Sequence, residues 1–264
     1  MLEVNKLYNE NCLDTMSRMQ DCFIDLTVTS PPYDNLRTYN GYSFDFESIA
    51  KELYRVTKQG GVVVWVVADA TINGSETGTS FRQALFFKEI GFNLETMIYQ
   101  KDGSPFPCQV RYNNIFEYMF VLTKGKNKTF NPIKEKAKQY LFNKKKLTSS
   151  YRQKDGSMKI DKVIYNENKI KDNIWRYLTG YMKTSKDIIA FEHPATFPEQ
   201  LADDHIWSWS NEGDLVYDCF AGSGTTLKMT VKRKRNYIGS EISAEYCKIA
   251  EKRLFNEQKQ LKLF

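Results

Sequence analysis

An apolar, strand-like run, Phe23-Ile24-Asp25-Leu26-Thr27-Val28, is cut short by Thr29-Ser30-Pro31-Pro32-Tyr33. Neither proline has an N–H to give to a neighbouring strand, so the sheet ladder cannot continue. The chain must turn, and the stiff corner carries a hydroxyl, a carbonyl and an aromatic face past the strand end. In open α/β sheets that space is where ligands bind. A corner of this make suits a flat, hydrogen-bonding substrate such as a nucleobase. The plainer alternative is a strand-ending turn with a core tyrosine.

The regions around the corner read as alternating helices and strands. Residues 12–19 are helical. After a polar, tyrosine-rich loop (34–43), Ser43 is the expected N-cap of a helix carrying Phe46, Ile49, Ala50, Leu53 and Val56, ended by Gly60-Gly61. Residues 62–68 form a β-branched run suited to burial on both faces. A second polar loop (69–78) leads to a helix from Phe81 to Gly91. Residues 92–100 and 115–122 are strands expected to pair antiparallel. Further on come a helix (198–209), a strand (214–218), a helix (225–232), a strand (236–239) and a last helix capped by Ser243. The 264 residues suffice for one large α/β domain with an insertion.

Charge locates the insertion. Residues 124–186 hold 18 Lys and Arg against 5 Asp and Glu, whereas the rest of the chain holds 20 against 27. Periodicity fades there, Lys144-Lys145-Lys146 sits near the centre, and Tyr140, Phe142, Tyr151, Tyr165, Trp175, Tyr177 and Tyr181 are interleaved. Cations meet phosphates and rings meet bases, so this composition fits a nucleic acid partner; the alternative is a solvated loop. Lys144, Lys145, Lys146, Arg152 and Arg176 are the candidate DNA contacts. The expected division is 1–123, an insertion 124–190 ordered in part on binding, and 191–264. No run approaches 18 apolar residues, and the N-terminus has no apolar leader. Five scattered cysteines and two histidines, without metal-ligand spacing, predict a reduced cytoplasmic protein with no metal site.

A second stretch carries chemistry. A strand, then Asp218-Cys219-Phe220-Ala221-Gly222-Ser223-Gly224-Thr225-Thr226, then a helix, makes a nucleotide-type loop in which glycines let backbone and ligand approach. Glu241, at the end of the following strand, can accept hydrogen bonds from both hydroxyls of a ribose. A P-loop would need lysine where Thr225 stands, and a dinucleotide loop a third glycine where Leu227 stands. What fits is an adenosine ligand without a pyrophosphate, S-adenosylmethionine (AdoMet); the plainer alternative is an ordinary glycine turn.

Together the two stretches resemble the amino-methyltransferases of DNA, and their order matches the β class: S-P-P-Y corner, basic region, then the F-x-G-x-G loop. Residues 25–33, 53–61, 117–124, His193-Pro194-Ala195-Thr196-Phe197-Pro198, 218–226 and Glu241 carry the resemblance. It implies a Rossmann-like α/β methyltransferase fold, with a mostly parallel twisted sheet, helices on both faces and a target-recognition insertion. It implies Ser30, Pro31, Pro32 and Tyr33 as catalytic residues. Asp218, Phe220, Ala221, Gly222, Ser223, Gly224, Thr225, Glu241 and Asn11 would hold AdoMet. Double-stranded DNA is the implied partner, with a cognate restriction endonuclease possible and a monomeric or homodimeric state. Three positions depart from the family pattern: Cys219 where many relatives have proline, Phe197 where many have lysine, and Asn11 in place of an acid.

S-P-P-Y with H-P-A-x-F-P is the form common among N4-cytosine enzymes, so that target is favoured over N6-adenine. An AdoMet enzyme acting on RNA or a protein amide is the remoter alternative. Pro107-Cys108-Gln109 imitates the nucleophile motif of C5-cytosine enzymes, but there the cofactor loop comes before the cysteine, and here it follows.

Overall fold

The computed structural model describes residues 2–32, 44–102, 110–137, 147–163 and 166–261. Its strands are β1 (Lys6–Tyr8), β2 (Ile24–Thr29), β3 (Thr57–Val67), β4 (Thr71–Ile72), β5 (Ser75–Glu76), β6 (Asn93–Asp102), β7 (Phe116–Thr123), β8 (Lys134–Lys136), β9 (Leu147–Arg152), β10 (Met158–Val163), β11 (Asn168–Ile170), β12 (Ile174–Leu178), β13 (Leu215–Asp218) and β14 (Asn236–Ser240). Its α-helices are α1 (Cys12–Ser17), α2 (Phe46–Val56), α3 (Thr79–Glu89), α4 (Glu199–Trp209), α5 (Thr225–Lys232) and α6 (Ala244–Leu261), with a 3-10 turn at Ile188–Glu192.

Eight strands form one sheet in the order β1-β14-β13-β2-β3-β7-β6-β12. Only β7 runs against its neighbours, pairing antiparallel with β3 and β6. The other neighbours are parallel. The expected mostly parallel α/β sheet is therefore present. Alternation along β3 sends Val63, Trp65 and Val67 into a core shared with Met16, Ile49, Leu53 and Phe87 from α1, α2 and α3. Helices α4 and α5 lie on the other side, α4 against β2 and β3, α5 against β13 and β14.

Two boundaries differ from the sequence reading. Asp45 caps α2, its side chain accepting from Ser48 N; Ser43 lies outside the described residues. Gly60 and Gly61 do not end that helix, which stops at Val56, but sit inside β3. A Cβ on Gly61 would come within 2.9 Å of the Asp25 carbonyl oxygen, and Gly60 has φ +77°. These glycines serve a close strand approach, which a glycine pair in sequence does not distinguish from a helix stop.

The chain packs as two compact units, Met1–Asn131 with Asn173–Phe264, and Pro132–Asp172. Among its described residues the smaller unit holds two antiparallel strand pairs, β9 with β10 and, from the two ends of the unit, β8 with β11. The basic stretch 124–190 is longer than that unit. Residues 124–131 and 173–190 pack in the larger one, because charge composition does not report packing.

Position in the large sheet follows from connectivity. From β2 the chain crosses by α2 to β3 on one side; from β13 it crosses by α5 to β14 on the other. The crossovers diverge between β2 and β13, which is where a parallel sheet opens a crevice at the carboxyl ends of its strands.

Candidate active site

The carboxyl ends of β2 and β13 touch. Thr29 Oγ1 donates to Asp218 Oδ1 at 2.7 Å, and Thr226 Oγ1 donates to the carbonyl of Val28 at 3.0 Å. The corner that starts at Ser30 and the loop that starts at Cys219 thus leave the sheet from one point, although 189 residues separate Thr29 from Asp218. Ser30 and Pro32 are half-buried and Pro31 is buried. Tyr33 lies outside the described residues.

The loop is pinned from several sides. Phe220 N donates to Asp218 Oδ1 at 3.1 Å, and Ala221 N to the carbonyl of Ser240 at 2.9 Å. Glu241, at the end of β14, receives Gly222 N on Oε2 and Ser243 N on Oε1, each at 2.8 Å. Its carboxylate retains lone pairs for a ligand. Phe220 packs its ring edge-on to Phe44. Gly222 and Gly224 have φ of +51° and +77°. The space a Cβ would need at these glycines is held by the protein itself. At Gly222 it would stand 3.0 Å from His193 Nε2, and at Gly224 2.7 Å from Ala250 Cβ. Close approach is the reason for both glycines, as expected, but His193 and α6 make that approach.

Two carboxyls stand at these strand ends, and both are held above their ordinary range. Burial pushes Asp218 up to about 6, against hydrogen bonds led by Thr29 that lower it; Glu241 is raised by burial and lowered in part by its backbone donors. Asp218 Oδ2 is buried and takes no hydrogen bond among the described residues. A buried acceptor without a partner, with a second acid nearby, is poorly satisfied alone and suits a cationic ligand. AdoMet carries a sulfonium and an ammonium, so the residues present fit it.

Sequence reading missed Arg253. It is fully buried on α6, and its Nη1 donates to the Ser223 carbonyl at 2.6 Å, to Ser223 Oγ at 3.0 Å and to Thr225 Oγ1 at 3.2 Å. Its other nitrogens reach Asp187 at 3.0 Å and Glu199 at 2.6 Å, and Lys228 joins both acids at 2.8 and 3.0 Å. Burial raises these two carboxyls, but the hydrogen bonds to them outweigh it and hold both low. Behind the glycine loop, therefore, lies a network of two cations and two anions, with a third carboxylate, Glu257, 4.0 Å from Lys228. An apolar-spaced helix carrying one arginine gave the only sequence signal.

The remaining expected site residues are dispersed. Asn11 caps α1, accepting from Leu13 N at 2.9 Å. Arg152 is exposed on β9 in the smaller unit; Arg176 is exposed on β12 in the larger. Lys144, Lys145 and Lys146 lie outside the described residues, as do Tyr140, Phe142, Tyr165 and the Pro107-Cys108-Gln109 motif. Trp175 and Tyr177, expected to stack on bases, are instead core. Each is 5% exposed on the inner face of β12, Trp175 stacking on His205 and Tyr177 donating to Asp204. Alternation along an edge strand buries them while Ile174, Arg176 and Leu178 face outward. No described helix is long and apolar enough to cross a membrane.

Residues 24–252 match the DNA methylase family. The chain is 59% identical over 243 residues to the orphan methyltransferase M.BamHII of Bacillus amyloliquefaciens, covering 89% of this chain and 90% of that one. It is 27% identical to the DNA adenine methyltransferase YhdJ of Escherichia coli, covering 96% and 83%. Among solved structures it resembles the cytosine-N4-specific PvuII DNA methyltransferase, with TM-score 0.68 and 19% identity over 96% of this chain and 87% of that one. It also resembles the M1.HpyAVI–SAM complex, with TM-score 0.62 and 22% identity over 94% and 99%.

Proposed function

The chain belongs to the N6/N4 DNA methylase family, AdoMet-dependent enzymes that methylate exocyclic amines of DNA bases, and from that premise we propose that it methylates the N4 amine of cytosine in duplex DNA. The observation carrying the methyl transfer, whichever base receives it, is the bond between Thr29 and Asp218, which starts the substrate corner and the cofactor loop from adjacent strand ends. The S-P-P-Y and H-P-A-x-F-P forms support cytosine. The name of the PvuII relative points the same way, and the name of YhdJ keeps N6-adenine as the second reading.

AdoMet supplies a methyl group on a positively charged sulfur. Asp218, Glu241 and the loop 219–225 bind it, their partly unsatisfied carboxylates complementing its cations. A target amine within a duplex cannot reach such a site, so the base must leave the stack. Tyr33 stacks on the extruded ring. The Ser30 hydroxyl and the Pro31 carbonyl accept hydrogen bonds from its amine, drawing the nitrogen lone pair out of ring conjugation. Pro31 and Pro32 fix the corner, so positioning supplies most of the acceleration. The proton leaves after transfer, and no covalent intermediate is needed. Side chains of the basic region, Arg152 among them, hold the phosphates and reach base edges.

The test is mass spectrometry of nucleosides from plasmid DNA incubated with the protein and AdoMet. N4-methylcytosine is the expected product. N6-methyladenine would overturn the choice of base, and no methylated nucleoside would overturn the activity. Ser30→Ala should lower kcat about 100-fold or more while AdoMet affinity stays near wild type; equal turnover would remove Ser30 from the chemistry.

A further inference from the structure

A hairpin follows β3 at the end of the sheet from which the substrate corner leaves. Strands β2 and β3 are parallel neighbours with Thr29 opposite Trp65, so Ser30 and the residues following Val67 leave the same end of the sheet from adjacent strands. The chain after β3 does not pass directly into α3. It first makes the two-stranded ribbon β4–β5, closed by Asn73 and Gly74 at φ of +51° and +84°. That is the type I′ geometry that matches strand twist and makes a stiff two-residue turn. The base of the ribbon is fixed. Thr77 N donates to the Ala70 carbonyl at 2.9 Å, and Asp69 receives Ser80 N at 2.9 Å and Ser80 Oγ at 2.5 Å. Among the described residues the tip stands clear: a Cβ on Gly74 would meet nothing within 4 Å. At that tip, next to an amide, is a large apolar side chain, Ile72, 58% exposed.

We propose that Ile72 and Asn73 form a wedge that enters the duplex where the target base leaves it. The proposal rests on the reading of this chain as a base-extruding DNA methylase. Extrusion leaves a gap in the stack and a partner base with unpaired donors and acceptors. Apolar side chains pushed between base steps fill such gaps, and a primary amide can both donate to and accept from a base edge. The tip presents one of each on a rigid mount that leaves the sheet at the same end as the corner that receives the base. Residues 71–75 (Thr-Ile-Asn-Gly-Ser) carry no charge to repel phosphates. Glu76, at the foot of β5, is the ribbon's one acid; its charge, like that of Asp69, raises the Tyr118 hydroxyl, whose larger cause is burial.

The test compares two duplexes carrying the enzyme's own methylation site: one fully paired, and one with an abasic position opposite the target, where extrusion breaks no base pair and leaves no partner base unpaired. Ile72→Ala should lower kcat/KM on the paired duplex about tenfold or more. On the abasic duplex the loss should be several-fold smaller, with AdoMet affinity and melting temperature unchanged on either account. Asn73→Gly keeps the turn and should show a smaller loss of the same pattern. Wild-type rates on the paired duplex, or equal losses on both duplexes, would overturn the wedge. A loss that disappears at high protein concentration would also overturn it, assigning the tip to a contact between copies. Failure of the wider reading looks different, since wild-type protein would then methylate neither duplex.

Discussion

Two adjacent strands end in opposite ways. Strand β2 runs into Pro31 and Pro32, where the ring of each residue fixes φ without help from any neighbour. Strand β13 runs into Gly222 and Gly224, the residues with the most backbone freedom, yet the loop they form is constrained by His193, Glu241, Ala250 and Arg253. The corner is stiff by covalent geometry and the loop by tertiary contact. Damage to the corner should therefore be local. Damage to the loop should be possible from residues far along the chain that touch no substrate.

The largest effect is expected at Arg253. Arg253→Met removes the three hydrogen bonds that Nη1 makes to the loop and leaves Asp187 and Glu199 with Lys228 as their remaining cation. Removing one partner from a buried ionic network costs about 3 kcal/mol or more, equivalent to a melting shift of roughly 10 °C at this chain length. AdoMet affinity should fall with it. Calorimetry and thermal unfolding that matched wild type would show that the loop holds its shape unaided. Arg253→Lys, which keeps the charge but not the fork, should recover part of the stability and little of the affinity.

Gly224→Ala comes next. The left-handed conformation costs a residue with a Cβ about 1–2 kcal/mol, and that Cβ would press on Ala250 at 2.7 Å. AdoMet binding should weaken roughly 30-fold or more, read by titration calorimetry. Unchanged affinity would mean that α6 gives way freely and that the loop is not held from behind.

The same contrast explains what was legible in the sequence. Pro31-Pro32 and Gly222-Ser223-Gly224 are local signals, and each follows a strand end that the sequence alone marks. The alternation of β-branched runs with helical spacing was enough to place most of the sheet. What could not be read were effects of tertiary partners. Gly60-Gly61 looked like a helix stop and is a close strand approach to Asp25. Trp175 and Tyr177 looked like base-stacking aromatics within a basic stretch, and β12 buries them against Tyr99, His205 and Asp204. Arg253 carried no motif, because its importance lies in Ser223, Asp187 and Glu199, which are 30, 66 and 54 residues away.

The pH dependence of cofactor binding tests the loop's electrostatics. Asp218 is raised from 3.8 to about 6 by burial. Between those values the folded state keeps a proton that the unfolded chain has released, so this group's contribution to ligand-free stability falls as pH rises through the window. A cation needs the ionised form. If that form binds AdoMet, its population falls from about nine-tenths at pH 7 to about one-tenth at pH 5, and affinity should weaken about tenfold. Asp218→Asn should flatten the profile; a profile of unchanged slope would transfer the cation's partner to another group.

The smallest effect should come from the corner itself. Pro32→Ala touches no buried ion and opens no cavity in the core, since Pro32 is only half-buried. Its cost arises from the extra freedom of the unfolded chain, about 0.5–1 kcal/mol. Pro31 still stiffens the turn, and the Thr29–Asp218 bond still joins the two strand ends. AdoMet affinity should stay at the wild-type value, with the loss confined to kcat as the corner samples more orientations. This substitution bears most directly on the contrast between the two strand ends. If Pro32→Ala destabilised the protein more than Gly224→Ala, or weakened AdoMet binding, the corner would depend on tertiary support as the loop does. The contrast between covalent and contact stiffness would then fail at the point where it is drawn.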